Sequence, residues 1–256
     1  MNAPQSWPLR RLGLRVLDLQ AQVEFYQGLG LELINETTST ATLGFGAQPV
    51  LDLARLGPKG IPRPPRTAGL YHFALLLPSE RDLGSFLRHV VDSGITLDGA
   101  SDHHVSQALY LSDLEGNGIE VYADRPPDTW TGPGGRILMH SRPLDLQRLL
   151  EMSSEPLNRF PALSRLGHMH LNVGNLESSG RFYHELGMNT QADLGSARFV
   201  SWDGYHHHLG LNTWAGTDIA PAPPNATGLD YFEISRPGLA TNELRDPSGI
   251  TVRALD

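Results

Sequence analysis

The chain has 256 residues, of which 39% are hydrophobic and 19% charged, with a formal net charge of −8 and no cysteine. This is enough apolar material to bury a core, and the acidic balance argues against a nucleic acid or an anionic membrane as partner, since both select basic surfaces. The lack of cysteine excludes disulfides and thiolate-bound metals, and because no apolar run approaches 18 residues we expect a cytoplasmic protein.

The first predicted unit, a strand followed by a helix and further strands, covers about residues 10–56. In "LGLRVLDLQAQVEFYQGLGLEL", Asp18 is the predicted helix N-cap, and the amphipathic helix carries Phe25 and Tyr26. A second unit covers residues 69–124. It opens with the apolar strand "GLYHFALLL", continues through a helix that begins near Ser79, and ends in two strands joined by an Asp-x-x-Gly turn.

A Pro- and Gly-rich stretch, "RPPDTWTGPGG", and the potential helix "RPLDLQRLLEMS" form a linker. The third unit, residues 165–214, repeats the pattern of the first, with Asn175 as N-cap. The fourth, residues 228–255, keeps the first strand and final hairpin of the second unit but almost none of its helix. The repeat predicts an α+β fold with two related domains separated by the linker: residues 1–125, 126–160 for the linker, and 161–256.

Eleven histidines are spread along the chain. His89 and His184 fall in amphipathic helices and His140 near the linker, where surface or packing roles are typical. His168 and His170 share one face of the strand "GHMHLNV". "YHHHLGL" is also predicted as a strand, in which alternation puts His207 opposite its two histidine neighbours, so the three cannot all enter one site.

Two ionisable groups stand in very apolar strands: Glu120 in "GIEVYAD" and His72 in "LYHFALLL". Burying such groups is costly unless they are paired or bound to a metal. A sheet face open to water is the alternative for Glu120, and His72 alone is typical of a hydrogen-bonded core histidine. Taken with His168, two imidazoles and one carboxylate match a facial triad suited to iron(II).

The repeated units, with "GHMHLNVGNLESSGRFYHELGM" and "LSDLEGNGIEVY", resemble the vicinal oxygen chelate superfamily of glyoxalases, bleomycin-resistance proteins and extradiol dioxygenases. The whole chain is similar to its two-domain catechol 2,3-dioxygenase-like members. The resemblance implies four βαβββ-type modules, the fourth without its helix, in two U-shaped, antiparallel-rich sheets around a metal. It implies His72, His168 and Glu120 as the metal ligands.

The same resemblance implies the catalytic residues. Tyr110 matches an active-site tyrosine, His103 or His104 a histidine near the metal, and His207 the second histidine of an "HH" strand, which acts as acid and base. The implied cofactor is iron(II), with manganese(II), nickel(II) or zinc(II) as alternatives. The implied partners are a small aromatic substrate and dioxygen. The oligomeric state is left open, with a homodimer as one option.

Neither half of the chain contains a complete ligand set. The first half has Leu14 where a second histidine should stand, and the second half has Tyr231 and Arg253 at the positions of His72 and Glu120. Pairing the second unit with the third removes this conflict, and we favour it. It leaves the first and fourth units as a scaffold and places these side chains in one cleft: His72, Glu120, His168 and His207.

The sequence therefore predicts a metal-dependent extradiol dioxygenase that opens a catechol-like ring. One alternative is a glyoxalase-type isomerase, lyase or thiol transferase, in which His207 is a fourth metal ligand. Another is a non-catalytic small-molecule binding or resistance protein. Metal identity and oxygen dependence distinguish the dioxygenase from the glyoxalase-type enzyme. If the protein only binds a small molecule, His72→Ala should leave ligand binding intact.

Overall fold

A computed structural model describes residues 7–256. The first unit comprises β1 (Leu9–Val16), α1 (Leu19–Gly28), β2 (Glu32–Glu36), β3 (Thr40–Phe45) and β4 (Gln48–Arg55). The second comprises β5 (Gly69–Leu77), α2 (Glu80–Asp92), β6 (Gly99–Asp102), β7 (Ser106–Ser112) and β8 (Gly118–Asp124). After α3 (Leu146–Glu151), the third comprises β9 (Arg165–Asn172), α4 (Leu176–Glu185), β10 (Asn189–Asp193), β11 (Ala197–Ser201) and β12 (Leu209–Asn212). The fourth comprises β13 (Gly228–Ser235), β14 (Asn242–Arg245) and β15 (Thr251–Leu255).

The strands form two curled sheets, each built from two units. The eight-stranded sheet has the order β10-β11-β12-β9-β5-β8-β7-β6 and joins the second and third units through an antiparallel β5–β9 pair. The seven-stranded sheet has the order β14-β15-β13-β1-β4-β3-β2 and joins the first and fourth units through β1–β13. The predicted α+β class and the predicted pairing of the second unit with the third are confirmed.

Side-chain caps start the helices where the sequence predicts them. The Asp18 carboxylate accepts a hydrogen bond from the amide of Ala21 at 3.1 Å, and Asn175 accepts from the amide of Ser178 at 2.9 Å. Ser79 caps α2 in the same way. These bonds satisfy amides that have no partner within the helix, so each unit changes from strand to helix at a fixed residue.

Buried tyrosines attach these helices to the hairpins of other units. The Tyr26 hydroxyl donates to Oδ2 of Asp113 at 2.8 Å, and the Tyr183 hydroxyl donates to Oδ2 of Asp246 at 3.3 Å. Asp113 also accepts from the amides of Glu115 and Asn117, which closes the Asp-x-x-Gly turn. Burial raises the pKa of both tyrosines well above the usual value. The Phe-Tyr and Asp-x-x-Gly motifs therefore bind each other.

The segment between the halves is folded against the second unit. Its predicted helix is present as α3, and Arg88 of α2 donates to the carbonyls of Leu150 and Ser153, both at 2.9 Å. Each sheet takes strands from both sides of this segment. The division into two domains, residues 1–125 and 161–256, with a linker at 126–160, stays a prediction. Within residues 7–256, the helices are too short or too polar to cross a lipid bilayer.

We predict that Tyr26→Phe lowers the free energy of unfolding by about 1.5–3 kcal/mol, because it removes a buried hydrogen bond to a carboxylate. Urea denaturation measures this, with an unchanged slope against denaturant. Tyr183→Phe is the matched comparison, and its longer bond predicts a smaller loss. A loss under about 0.5 kcal/mol for Tyr26→Phe, the size typical of a surface change, would contradict a docking role.

Candidate metal centre

The β5–β9 pair places three of the predicted residues in one cavity. His72 is opposite His170, and Ala74 is opposite His168 on one side and Glu120 of β8 on the other. Paired positions in adjacent strands present side chains on the same sheet face. A cavity of about 380 Å³ opens at this face. Eight of its lining residues are ionisable groups from the second and third units: Tyr71, His72, His103, Tyr110, Glu120, His168, His170 and His207.

The Glu120 carboxylate lies between two imidazoles. Its Oε2 is 3.1 Å from Nε2 of His72 and 3.1 Å from Nε2 of His168, and all three side chains are buried. Nε2 of His72 nevertheless has no hydrogen-bond partner among the described residues. Two ring nitrogens and one carboxylate oxygen therefore converge on one point, and one of the nitrogens is unpaired. This arrangement suits three ligand atoms that direct their lone pairs at a shared cation.

The charges of these groups also favour a cation. Burial raises the pKa of Glu120, but the neighbouring imidazoles of His168 and His72 outweigh it, and the pKa lies well below the usual range. Burial lowers the pKa of His168 and, more strongly, that of His170. At neutral pH the cavity therefore contains the Glu120 carboxylate and the neutral imidazoles of His168 and His170, the protonation states that a metal requires.

His170 is a ligand-capable residue that the sequence prediction did not assign. One ring nitrogen from each of His72, His168 and His170 can be chosen so that all three lie within 4.8 Å of one another. The spacing of His168 and His170 on one strand face was a signal for it. Nε2 of His170 is 3.1 Å from Nε2 of His207, and its Nδ1 has no partner in the described chain. The residues present fit a divalent metal, since imidazoles and carboxylate suit iron, manganese, nickel and zinc.

Tyr110 and His103 form a second pair at the cavity. The Tyr110 hydroxyl is 2.6 Å from Nε2 of His103, whose Nδ1 is 3.2 Å from the carbonyl of His140. Nδ1 also lies 3.2 Å from the Ser141 hydroxyl, which can donate to it or accept from it, so Nε2 can donate to the Tyr110 oxygen or accept from its hydroxyl. Burial, and then Glu120, raises the pKa of Tyr110. His103 rather than His104 lines the cavity, and His140 lies at its rim instead of on an unrelated surface.

The three consecutive histidines precede a strand instead of lying on it. β12 begins at Leu209, so the prediction of a strand through all three was wrong, and strand alternation does not explain their directions. Of the three, His207 lines the cavity. His206 is buried and hydrogen-bonds to Asp124 at 2.9 Å, and the ring of His208 packs 5.1 Å from that of Trp7.

The corresponding face of the other sheet contains an ion-pair cluster. Arg11 pairs with Glu233 at 2.9 Å and with Asp52 at 3.2 Å. The guanidinium of Arg253 lies 3.5 Å from the ring centre of Tyr231, whose hydroxyl donates to Asp52. Two arginines at a face equivalent to the metal centre oppose cation binding.

The register of this sheet corrects one alignment. Arg11 pairs with Glu233, as His168 pairs with Ala74, and Arg11 precedes the N-cap Asp18 by as many residues as His168 precedes Asn175. Arg11, and not Leu14, therefore occupies the position of His168. Leu14 points into the apolar core.

Paired βαβββ units that curl around an inward-facing cluster of histidines and a glutamate define the class of fold. The family model described as Glyoxalase/Bleomycin resistance protein/Dioxygenase superfamily matches residues 9–121. The catechol-2,3-dioxygenase of Bacillus subtilis (strain 168) is 40% identical over 231 residues, which are 88% of this chain and 81% of that protein. This chain belongs to the glyoxalase, bleomycin resistance protein and dioxygenase superfamily.

Solved structures agree with this fold. A protein from Bacillus subtilis subsp. subtilis str. 168 aligns with a TM-score of 0.66 at 11% identity and covers 98% of this chain and 86% of its own. Glyoxalase I from Zea mays aligns with a TM-score of 0.58 at 16% identity and covers 97% and 92%. At these identities the likeness concerns the fold alone.

We predict that the metal-free protein binds one manganese(II) ion per chain. Glu120→Gln should raise the dissociation constant for manganese(II) about 100-fold or more, because a neutral amide replaces the anionic ligand. Calorimetric titration measures both. His170→Asn should raise the dissociation constant less than about 10-fold. His184→Asn, at an exposed position of α4, is the matched control. Loss of binding in His170→Asn with wild-type binding in Glu120→Gln would show that three histidines form the site.

Proposed function

We propose that this protein is a metal-dependent extradiol dioxygenase, which opens a catechol-like ring beside its two hydroxyl groups. The observation that carries the proposal is the contact of one Glu120 oxygen with both His72 and His168, each at 3.1 Å, at the wall of an open cavity. Two histidines and one carboxylate are the ligand set of non-haem iron(II) oxygenases, and they would leave positions on the ion open for substrate and dioxygen. The 40% identity to a catechol-2,3-dioxygenase supports the same reaction.

In this proposal His72, His168 and Glu120 hold iron(II). The ion, when bound, supplies the electron transfer through which dioxygen reacts with a diol. The protein contributes the cavity, and the β5–β9 pair forms the part of its wall that carries His72 and His168. Holding both reactants there removes much of the entropic cost of their encounter.

His207, Tyr110 and His103 are the proposed catalytic residues. Burial keeps the pKa of His207 well below the usual range, so the ring enters the reaction neutral and can take a proton from a substrate hydroxyl and return it later. Tyr110 keeps its proton, since its pKa is raised, and it can donate to an oxygen that gains negative charge during the reaction. His103 holds the Tyr110 hydroxyl through their 2.6 Å hydrogen bond.

One observation favours a second candidate, a metal-dependent isomerase or lyase of glyoxalase type. The proximity of His170 to His72 and His168 offers a nitrogen-rich site, which suits zinc(II) or nickel(II). Such an enzyme would rearrange its substrate without consuming dioxygen. Metal content and oxygen uptake separate the two candidates.

The cavity favours a neutral substrate. Of the described residues that line it, none is a lysine or an arginine, and Glu120 contributes a negative charge. A carboxylate substituent on the ring would lose its hydration there without a lysine or arginine as partner, because the two hydroxyls of the diol occupy the metal. Tyr71 and Trp214, whose rings meet edge to face at 5.1 Å, stand about half exposed at the opening. An uncharged, apolar ring substituent would fit between the metal centre and this aromatic pair.

The first test of the proposal is oxygen uptake by anaerobically purified, iron-loaded protein. We expect one dioxygen consumed per catechol and a yellow semialdehyde product. Tyr110→Phe should lower kcat about 100-fold, because it removes one preorganised donor, while the variant still binds iron. Bound nickel or zinc, with no oxygen uptake on any diol, would contradict the proposal and favour the glyoxalase-type reaction.

The second test compares 4-methylcatechol with 3,4-dihydroxybenzoate. We expect kcat/KM to be about 10-fold or more lower for the carboxylate, since its charge has no partner in the cavity. Trp214→Arg should narrow this difference, and Leu163→Arg, at an exposed site away from the cavity, is the matched control. Equal use of both substrates by the wild-type enzyme would overturn the preference for a neutral ring.

A further inference from the structure

A line of buried hydrogen bonds continues from His207 away from the cavity. Nδ1 of His207 is 2.7 Å from Nδ1 of His206, and Nε2 of His206 is 2.9 Å from Oδ1 of Asp124. The other Asp124 oxygen accepts from the Tyr205 hydroxyl at 2.9 Å, and the hydroxyls of Tyr205 and Tyr122 are 2.7 Å apart. The line joins the third unit, which contributes the histidines, to the end of β8 in the second.

The chemistry of each partner fixes the positions of the protons along this line. As a carboxylate, Asp124 only accepts, so Nε2 of His206 carries the proton that it donates. A neutral His206 then has its lone pair on Nδ1, which must accept from the Nδ1 proton of His207. A neutral His207 that is protonated on Nδ1 has its lone pair on Nε2. That lone pair lies at the cavity and accepts from Nε2 of His170 at 3.1 Å, a partner that a substrate hydroxyl would replace.

Packing prevents His206 from turning over. Its side chain is fully buried, and its ring lies 4.0 Å from the ring of Tyr205 and 5.0 Å from that of Trp130, measured between ring centres. Trp130 belongs to the segment between the halves, and its ring nitrogen donates to the carbonyl of Arg125. Contacts with these two rings, at a fully buried position, keep Nε2 directed at Asp124 and Nδ1 at His207.

We propose that Asp124 and His206 are positioning residues that fix the tautomer of His207, so that its Nε2 lone pair faces the substrate. The inference rests on the proposed function, because only the ring-cleavage reaction assigns His207 a proton to take. Neither positioning residue lines the cavity, and both act through His207. A histidine base needs such an orienting partner, since an imidazole with the opposite tautomer presents a proton where the lone pair is required.

The pair His206→Phe and His206→Asn tests the proposal. Phenylalanine keeps a ring between Tyr205 and Trp130 but removes the acceptor, whereas asparagine can place an amide oxygen where Nδ1 stood. Nitrogen-15 NMR of full-length, zinc-loaded protein with labelled histidines reports the tautomer of His207, whose signals are identified by their absence in His207→Gln. We expect a protonated Nδ1 in the wild type and in His206→Asn, and loss of that state in His206→Phe.

Kinetics of the iron-loaded protein give the second readout. His206→Phe and Asp124→Leu should each lower kcat about 100-fold with little change in KM, and the double variant should lose little more, because both act on one group. His206→Asn should recover most of the rate, and His184→Phe is the control. A His207 protonated on Nε2 in the wild type, or an unchanged tautomer in His206→Phe, would overturn the inference.

The two readouts separate failure of this inference from failure of the proposed function. Absence of diol-dependent oxygen uptake in the wild-type protein would refute the dioxygenase, whatever the NMR shows. Uptake with an unaltered His207 tautomer in His206→Phe would keep the dioxygenase and refute the positioning role.

Discussion

The antiparallel pairing of β5 with β9 is the contact on which the proposed metal centre depends. It sets His72 opposite His170 and Ala74 opposite His168, and the parallel β5–β8 pair then brings Glu120 to the same face. Strand side chains alternate, so a slip of one residue would turn the histidines into the apolar core and the core residues into the cavity. The β5–β9 ladder has irregularities just before His72 and just after Ala74. Between them the pairing is regular, and the two histidine pairs stay on one face.

The two sheets have separate tasks because their inner faces differ in charge. The inner face of the eight-stranded sheet contains imidazoles and the Glu120 carboxylate, which suit a cation, and that of the seven-stranded sheet contains Arg11 and Arg253 among acids and Tyr231. The tyrosine bonds to Asp113 and Asp246 bind helices of one sheet's units to hairpins of the other's. The ion-pair sheet thus supports the metal centre without duplicating it.

Local patterns predicted much of this molecule. The repeats, the caps at Asp18 and Asn175 and the cost of burying Glu120 and His72 can all be recognised within a few residues of sequence. The family resemblance added roles for Tyr110, His103 and His207, which the structure brings to one cavity. Those roles, the cytoplasmic location and the oligomeric state stay predictions.

The missed features depend on contacts that are distant in sequence. The three histidines were expected in one strand, but β12 starts only at Leu209, and the direction of His206 is set by Asp124 and Trp130. Matching the two Leu-Gly pairs selected Leu14, whereas the ladder, with its shift between Gly13 and Leu14, selects Arg11. Neither outcome follows from a periodic pattern, since both depend on strand register.

The most direct measurement is X-ray diffraction with anomalous scattering from crystals of the manganese-loaded protein. The ion should lie in each chain between His72 of the second unit and His168 of the third, with Glu120 completing the set. An ion in the cleft of Tyr231 and Arg253, or one held by residues of two different chains, would contradict a metal centre built by pairing the second and third units.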